Sequence, residues 1–311
     1  MKLIKHEKNV HEILLDYTED RKCTIAMLSD IHWDNPHCDR ELLKTNLDYC
    51  KEHNIPIMIN GDMFCLMQGR GDNRRNKSDI RPEHNNSGYL DSIVETAVEW
   101  WSPYADLLTV IGYGNHETSI IKFQETDILA RFVKLMNHEN DSNIYAGGYG
   151  GWLIVNQAMT PKSRKQDDVL EPLSKDKRGT RLATKIRYFH GSGGGGVVTK
   201  GALNLTRALE MYEGFDVFTM GHIHENAARN DVRDRIIRGR ANYRHEQKQL
   251  HLMLTGTYKE EYGDGSKGWH VERGAPVKPL GGRLLNISYK RYRKDDLDYH
   301  NRQVDSVKFP L

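Results

Sequence analysis

The segment CTIAMLSDIH, residues 23–32, decides the fold class of this chain. Its uncharged run from Cys23 to Leu28 stops abruptly at Ser29-Asp30, a pattern typical of a short buried strand followed by a loop. The same pattern returns twice: the apolar runs 55–59 and 107–111 also stop at glycine and polar residues. Repeated buried strands of this length predict a sheet whose central strands are covered on both faces.

Strands and helices alternate along the rest of the chain. Apolar residues at helical spacing predict helices over residues 39–53, 89–101, about 124–137 and 200–213. Further apolar runs predict strands at about 151–156, 183–189 and 216–220, and the last third, about 250–309, holds short runs that predict additional strands. Such alternation predicts an α/β fold with helices covering the sheet on both sides.

Three polar stretches with many basic residues interrupt this pattern, at about 67–88, 160–182 and 229–248. The sequence contains no internal repeat. No linker separates these stretches from the strands and helices around them. We interpret them as insertions into one domain that spans residues 1–311, with its core motifs between residues 23 and 225.

Composition limits the classes of protein that fit this sequence. The chain has 311 residues, 38% of them hydrophobic, and no apolar stretch approaches the ~18 residues that span a bilayer. The charged N-terminal segment lacks the apolar core of an export signal, and four cysteines are too few for a disulfide scaffold. We expect a cytoplasmic protein without membrane contact. The net charge of +2 neither favours nor excludes a nucleic-acid partner.

Five predicted strand ends carry residues that can bind metal ions. The carboxyl ends of strands are where α/β sheets place their ligands, and glycines beside these residues leave room for close approach. Taken alone, each motif fits a capping turn or a solvated loop, but five in a row favour a metal centre. Mixed carboxylate, amide and imidazole donors suit Mn²⁺, Fe, Zn, Co or Ni. The five motifs are Asp30-Ile31-His32, Gly61-Asp62, Gly114-Asn115-His116-Glu117, His190-Gly191 and Gly221-His222-Ile223-His224.

In these motifs, across about residues 23–225, the sequence resembles the calcineurin-like metallophosphoesterase superfamily. The resemblance implies a four-layered α/β/β/α sandwich and a hydrolase that uses two divalent metal ions, with Mn²⁺ as the expected pair. The glycine-rich segment 190–196 is similar to a stretch of phage-encoded members. It lacks the Lys-Ser/Thr of a P-loop, so it is interpreted as a rim loop beside a metal ligand, with direct phosphate contact as the alternative.

The resemblance also implies a role for each motif residue. One metal ion would be held by Asp30, His32, Asp62 and His224. The second would be held by Asp62, Asn115, His190 and His222, so that Asp62 bridges the two ions. A hydroxide shared by the ions would then attack phosphorus in line.

His116 and Glu117 are the expected catalytic residues beside the metal ligands. The resemblance implies that His116 protonates or orients the leaving oxygen, and Glu117 either holds its imidazole or is an exposed acid at a helix start. Cys65 stands where the family often has Asp, Asn or His. We expect its side chain to pack in the interior, with contact to the metal site as the alternative.

The sequence leaves the phosphoester substrate open. Basic residues in the three polar stretches favour a phosphodiesterase that acts on nucleic acid or nucleotides, provided that they line the metal cleft and that Tyr89, Tyr243 and Trp269 stack on bases. The alternatives are a phosphomonoesterase acting on a protein or a small molecule, and a non-catalytic binding module on the same fold. The basic residues are Arg70, Arg74, Arg75, Lys77, Arg81, Lys162, Arg164, Lys165, Lys175, Lys177, Arg178, Arg181, Arg229, Arg233, Arg235, Arg238, Arg240 and Arg244.

Overall fold

The computed structural model describes residues 1–15, 22–67, 80–158, 181–238, 242–263, 269–272, 274–294 and 297–310. The strands are β1 Lys2–Glu7, β2 Val10–Leu15, β3 Lys22–Leu28, β4 Ile57–Asn60, β5 Leu108–Gly112, β6 Tyr145–Ala146, β7 Gly150–Ala158, β8 Arg181–Phe189, β9 Val217–Met220, β10 Asn226–Arg238, β11 Tyr243–Thr255, β12 Arg283–Lys294 and β13 Leu297–Lys308. The helices are α1 Arg40–Glu52, α2 Tyr89–Trp101, α3 Asn115–Gln124, α4 Ile128–Asn140, α5 Ala202–Met211 and the single turn α6 Trp269–Glu272.

The strands form two sheets. The first sheet has the order β13-β12-β3-β4-β5-β6, and its strands β3 to β6 are parallel. The second sheet has the order β1-β2-β7-β8-β9-β11-β10, in which β9 runs parallel to both β8 and β11. Parallel strands end at the same edge, so the loops after β3, β4 and β5 meet there, as do the loops after β8 and β9.

Each sheet contributes one face to a core between the sheets. In β3, Ile25 and Met27 point into this core, whereas Ala26 and Leu28 point into a separate core beneath the helices. This alternation follows from the two-residue period of a strand, and it explains why Ile25 to Leu28 are all apolar. The inter-sheet core is completed from the second sheet by residues such as Leu153.

Helices cover the outer face of both sheets. Apolar residues of α1, α2 and α4 pack on the first sheet, and Leu205 and Ala208 of α5 pack on the second. Helices α1 and α4 begin where Asp39 and Asp127 accept hydrogen bonds from backbone N–H groups in the first turn. The layers therefore follow the order α/β/β/α, and the predicted fold class is confirmed.

The structure departs from the predicted elements in several places. The N-terminal hairpin β1–β2 was not predicted, because its charged residues obscure the alternation of apolar positions. The helix expected at about 124–137 corresponds to α4, which begins only at Ile128 because Asp127 caps it, and the preceding helix α3 was not predicted. In the third polar stretch, residues 229–238 and 243–248 belong to the paired strands β10 and β11. Most of the other two stretches, 68–79 and 159–180, lies outside the described residues.

Among the residues that are described, the helices are all too short or too polar to cross a membrane.

Candidate metal centre

The structure brings all seven predicted metal ligands to one end of the two sheets. The loops after β3 and β4 and the first residue of α3 supply four of them from the first sheet. The loops after β8 and β9 supply the other three from the second sheet. The seven residues are Asp30, His32, Asp62, Asn115, His190, His222 and His224.

Three of these residues form a first donor group, in which the ligand atoms of Asp30, His32 and His224 all lie within 4.8 Å of one another. The Nε2 atoms of His32 and His224 are 3.4 Å apart. The same nitrogen of His224 lies 3.4 Å from Oδ1 of Asp30. Two imidazoles and one carboxylate therefore converge on a volume of the size that a single cation occupies.

Asp62, His190 and His222 form a second donor group within the same 4.8 Å limit. His190 Nε2 lies 3.2 Å from Asp62 Oδ2. The amide oxygen of Asn115 faces the same volume, 2.8 Å from His222 Nδ1 and 3.2 Å from His190 Nε2. The two groups are joined through Asp30, whose carboxylate accepts the backbone N–H of His222 at 2.9 Å.

The electrostatics of the second group favour a positive charge between its donors. His190 Nδ1 lies 2.8 Å from the carbonyl oxygen of Asn60, which can only accept, so Nδ1 carries a proton and Nε2 is the nitrogen that faces Asp62 and Asn115. Burial lowers the pKa of His190, but the Asp62 carboxylate outweighs it and raises this pKa to about 10. Burial would raise the pKa of Asp62, yet His190 and His116 hold it well below its usual range.

One histidine of each group, His32 in the first and His222 in the second, has its pKa lowered, which favours the neutral form that metal ligation needs. Burial, assisted by the charge of His116, holds the pKa of His32 well below its usual value. Burial also lowers the pKa of His222 in the second group. Neutral imidazoles at neutral pH offer lone pairs rather than protons, which is the form that binds divalent cations.

Five of the seven predicted ligands adopt a backbone conformation that non-glycine residues rarely take. The φ angles are 50° for Asp30 and His32, 49° for Asp62, 69° for His222 and 56° for His224. Each such residue costs on the order of 1–3 kcal/mol, and such residues cluster at functional sites. The strained backbone turns several side chains of one short loop toward the same point.

Glycines beside the ligands are required for space. A Cβ atom at Gly114 would lie 2.6 Å from Cγ of Asp62, and one at Gly221 would lie 2.6 Å from Oγ of Ser29 and closer still to the Asp30 carboxylate. The loops that carry the two donor groups therefore pass each other at distances that only glycine permits.

Replacement of Gly114 by alanine is expected to lower both the stability of the protein and its affinity for added divalent cations such as Mn²⁺, because the new methyl group displaces Asp62. Overpacking of this kind costs about 1–3 kcal/mol. Thermal unfolding and metal analysis of the purified variant measure the two effects. Gly88→Ala is the matched control, since its Cβ would meet no atom closer than Asn86 Oδ1 at 3.5 Å. A Gly114→Ala protein with wild-type Mn²⁺ affinity would contradict the placement of Asp62.

His116 lies beside both donor groups without belonging to either. Its ring packs edge-on against His32 with ring centroids 4.8 Å apart. Its Nδ1 donates to the carbonyl oxygen of Cys65 at 2.5 Å, and its Nε2 lies 4.0 Å from Oδ2 of Asp62. The proton at Nδ1 is thus fixed by the backbone, and Nε2 is the nitrogen that faces the centre.

Glu117 has a different position from either of those expected. It is buried rather than exposed, and its carboxylate accepts backbone N–H groups from Asp62, Phe64 and Gly114 at 3.2, 2.9 and 2.8 Å. The carbonyl of Cys65, not Glu117, holds the His116 imidazole. Burial and the Asp62 charge raise the pKa of Glu117 to about 8, whereas the N–H donors favour its ionised form. Glu117 therefore fixes the loop that carries Asp62.

Cys65 packs in the interior, as expected, and its sulfur also approaches the centre. The side chain is 1% exposed. Its Sγ lies within 4.8 Å of a ring nitrogen of His32 and of His116, and it accepts a hydrogen bond from Asn35 Nδ2 at 3.2 Å. Burial raises the pKa of Cys65, while the charge of Lys259 and the Asn35 hydrogen bond act in the opposite direction.

Lys259 is a cation near the centre that no sequence motif indicated. The residues before it follow the Asp30 loop: the Tyr258 N–H and the Thr257 hydroxyl donate to the Asp30 carbonyl at 3.0 and 2.8 Å. The Lys259 ammonium is largely buried, forms an ion pair with Glu261 at 2.8 Å and lowers the pKa of His32, to which burial contributes more. The sequence gives no signal for Lys259, because the hairpin β10–β11 separates it along the chain from His224 and the other motif residues.

The basic residues that the structure describes do not support the expectation that they line the metal cleft. Arg229, Arg233 and Arg235 form ion pairs with Asp231, Glu210 and Glu246. Arg238, Arg244 and Tyr243 lie at the far end of the hairpin β10–β11, because 12 residues of extended strand, about 40 Å, separate Arg238 from the end near the centre.

Of the other residues expected to contact nucleic acid, the structure describes only some. Tyr89 is buried and its hydroxyl lies 3.4 Å from Asp34, so it cannot stack on a base. Arg81 donates to the backbone carbonyls of Asn35 and Cys38. Outside the described side chains lie Arg70, Arg74, Arg75, Lys77, Lys162, Arg164, Lys165, Lys175, Lys177, Arg178, Arg181, Arg240 and Trp269.

Comparisons with known proteins give little beyond the geometry. No protein-family model matches the chain, and no curated protein matches it. Among solved structures, Vacuolar Protein Sorting 29 from Cryptosporidium parvum aligns over 93% of this chain and 100% of its own, with 12% identity and a TM-score of 0.33. GAP50, the anchor in the inner membrane complex of Plasmodium, aligns over 86% of this chain and 81% of its own, with 11% identity and a TM-score of 0.36. Neither similarity identifies a family for this chain.

Proposed function

We propose that this chain is a phosphoesterase of the calcineurin-like metallophosphoesterase superfamily that uses two divalent metal ions, with Mn²⁺ as the expected pair. One observation carries the proposal: two donor groups lie side by side, and the His116 ring lies 4.8 Å from that of His32 in the first group, with its Nε2 4.0 Å from the Asp62 carboxylate of the second. The reaction proposed is hydrolysis of a phosphodiester in nucleic acid or a nucleotide.

The residues present fit such a pair of ions. Asp30, His32 and His224 would hold one, and Asn115, His190 and His222 would hold the other, with Asp62 shared between them. Nε2 of His190 lies 3.2 Å from an oxygen atom of both Asp62 and Asn115, an arrangement that a cation or a proton between these atoms would stabilise. Carboxylate, amide and imidazole donors without a thiolate in either group favour Mn²⁺ and similar ions.

The residues of the chain divide the chemistry among them. When bound, two divalent ions lower the pKa of a water molecule and neutralise charge on phosphoryl oxygens. Asp62 would keep the two ions at a fixed separation, and Glu117 holds the Asp62 loop through three backbone N–H groups. A proton carried at Nε2 of His116 can pass to the leaving oxygen, because Nδ1 is occupied by the Cys65 carbonyl.

The charge around the centre supports a diester over a monoester. A phosphate monoester carries close to two negative charges at neutral pH, since its second pKa is about 6. The charge of Lys259 acts on His32, but Lys259 is already paired with Glu261. Arg40 and Arg81, near the same loops, donate to backbone carbonyls. A diester with one negative charge matches such surroundings better.

The Mn²⁺-loaded protein is expected to hydrolyse bis(p-nitrophenyl) phosphate in preference to p-nitrophenyl phosphate. The rate of nitrophenol release from each substrate measures this preference. The Asp62→Asn variant, purified in parallel, is the control, because any activity that it shares with the wild type would come from a contaminating phosphatase. A preference of more than tenfold for the monoester would overturn the diesterase proposal. Metal binding without hydrolysis of either substrate would instead favour a binding module.

The same preparation tests the nucleic-acid substrate. Single- and double-stranded DNA and RNA are incubated with it at two salt concentrations, because contacts to phosphates weaken as salt rises. Cleavage of one of these polymers is the expected result. Absence of both cleavage and salt-sensitive binding would restrict the substrate to nucleotides or other small diesters.

A further inference from the structure

Cys65 belongs to a third donor set, and its thiol has no role in the proposed reaction. Its Sγ and one ring nitrogen each of His32 and His116 all lie within 4.8 Å of one another. All three side chains are shielded from solvent, with Cys65 and His32 buried and His116 12% exposed. The proposed dinuclear arrangement takes His32 into the first group and leaves Cys65 and His116 without a metal.

The chemistry of this third set differs from that of the other two. A thiolate with two imidazoles is a soft donor set that selects Zn²⁺, Cd²⁺ or Cu⁺, whereas Mn²⁺ prefers oxygen-rich sites. Three protein ligands with one open position are typical of tetrahedral zinc sites, in which neighbouring ligand atoms lie about 3.5 Å apart. The donor atoms of this set lie at most 4.8 Å apart, so side-chain rotation would have to shorten these distances by about 1 Å at most to reach that spacing.

The surroundings of the sulfur are compatible with a bound cation. Asn35 Nδ2 donates to Sγ at 3.2 Å, and this contact stabilises negative charge on sulfur once its proton has gone. His116 is held through Nδ1 by the Cys65 carbonyl, so the imidazole and the thiol of this set are tied to the same residue. The His116 imidazole is therefore held beside Cys65 before any ion arrives.

We propose that Cys65, His32 and His116 bind one thiophilic divalent cation, Zn²⁺ or Cd²⁺, and that its binding stops hydrolysis. Binding forms a sulfur–metal bond and releases the thiol proton to solvent, with no change in oxidation state. The ion occupies the imidazole of His116 and competes for His32 with the first donor group. The inhibitory part rests on the proposed function, whereas the binding part does not.

Titration of the Mn²⁺-loaded protein with Cd²⁺ tests both parts. Wild-type protein is expected to develop the ultraviolet sulfur-to-cadmium charge-transfer band and to lose diester hydrolysis over the same range of Cd²⁺. Cys65→Ser and Cys65→Ala should lack the band and need at least about tenfold more Cd²⁺ for the same fractional inhibition, each relative to its own rate without Cd²⁺. Cys50→Ser, which removes a buried thiol of α1, is the matched control and should behave as wild type.

The outcomes separate the two proposals. A band that persists in both Cys65 variants, or a wild-type protein that shows none, would overturn the soft-metal site. If the protein hydrolyses no phosphoester but the band depends on Cys65 and weakens in His116→Ala, the site stands and the proposed function fails. Circular dichroism of the variants confirms that they are folded before titration.

Discussion

Replacement of Asp62 by asparagine is expected to lower both metal content and hydrolysis, the latter by about 10³-fold. Asparagine keeps an oxygen that can accept the His116 backbone N–H, which Asp62 Oδ1 accepts at 3.0 Å, so the loop can retain its shape. It removes the negative charge that would face both ions. Loss of a metal contribution of several kcal/mol corresponds to a rate change of this size. Metal analysis and the rate of diester hydrolysis measure the two effects.

The metal-free protein offers a second test of this position. The Asp62 charge, opposed by burial, raises the pKa of His190 to about 10, so Asp62→Asn should lower that pKa, as followed by NMR titration. Asp216→Asn is the matched control: Asp216 is also buried and accepts from Lys248 at 2.7 Å and Arg302 at 2.6 Å, but it precedes β9 at the opposite end of the strand. Unchanged metal content in Asp62→Asn would show that this carboxylate does not hold the ions.

Replacement of His116 by alanine is expected to slow diester hydrolysis by about 10²-fold or more while metal content stays unchanged. The physical reason is that His116 supplies a proton rather than a metal ligand to the reaction. The loss should grow as the leaving group becomes more basic, because a poor leaving group needs protonation more. Rates with a series of substituted phenyl diesters, together with metal analysis, measure both effects.

His116→Asn is the matched variant for this test. Its side-chain amide can still donate to the Cys65 carbonyl in place of Nδ1, but it carries no acidic proton at the position of Nε2. It should therefore show the same loss of rate with better retention of the loop. Loss of Mn²⁺ from the alanine variant would instead place His116 among the ligands and refute its role as an acid.

The sequence predicts the fold class and the convergence of the seven candidate ligands for a simple reason. Parallel buried strands share an edge, so polar motifs that follow them, such as those of Asp30 and Asp62, must meet. The hairpin β1–β2 escaped prediction because Lys2, Lys5 and His6 hide its period. The positive φ angles of the ligands depend on tertiary contacts and leave no signal in the sequence.

Side-chain direction around Glu117 shows a different limit. The motif places it next to His116, which suggested contact between the two. Because α3 begins at Asn115, consecutive residues diverge by about 100° around the helix, so the two side chains reach different groups of the same loop: Glu117 accepts from the Phe64 N–H, and His116 donates to the Cys65 carbonyl. The approach of Cys65 to His32 and His116 likewise depends on where the loop after β4 folds back, which periodicity does not reveal.

Each donor group draws on both layers of the sandwich: Asp30 and His32 come from one sheet and His224 from the other, and Asp62 and His190 are divided in the same way. A cation bound to either group would consequently cross-link the two sheets. Separating the sheets would mean expelling the ion, so its binding free energy would add to the resistance of the whole molecule against unfolding.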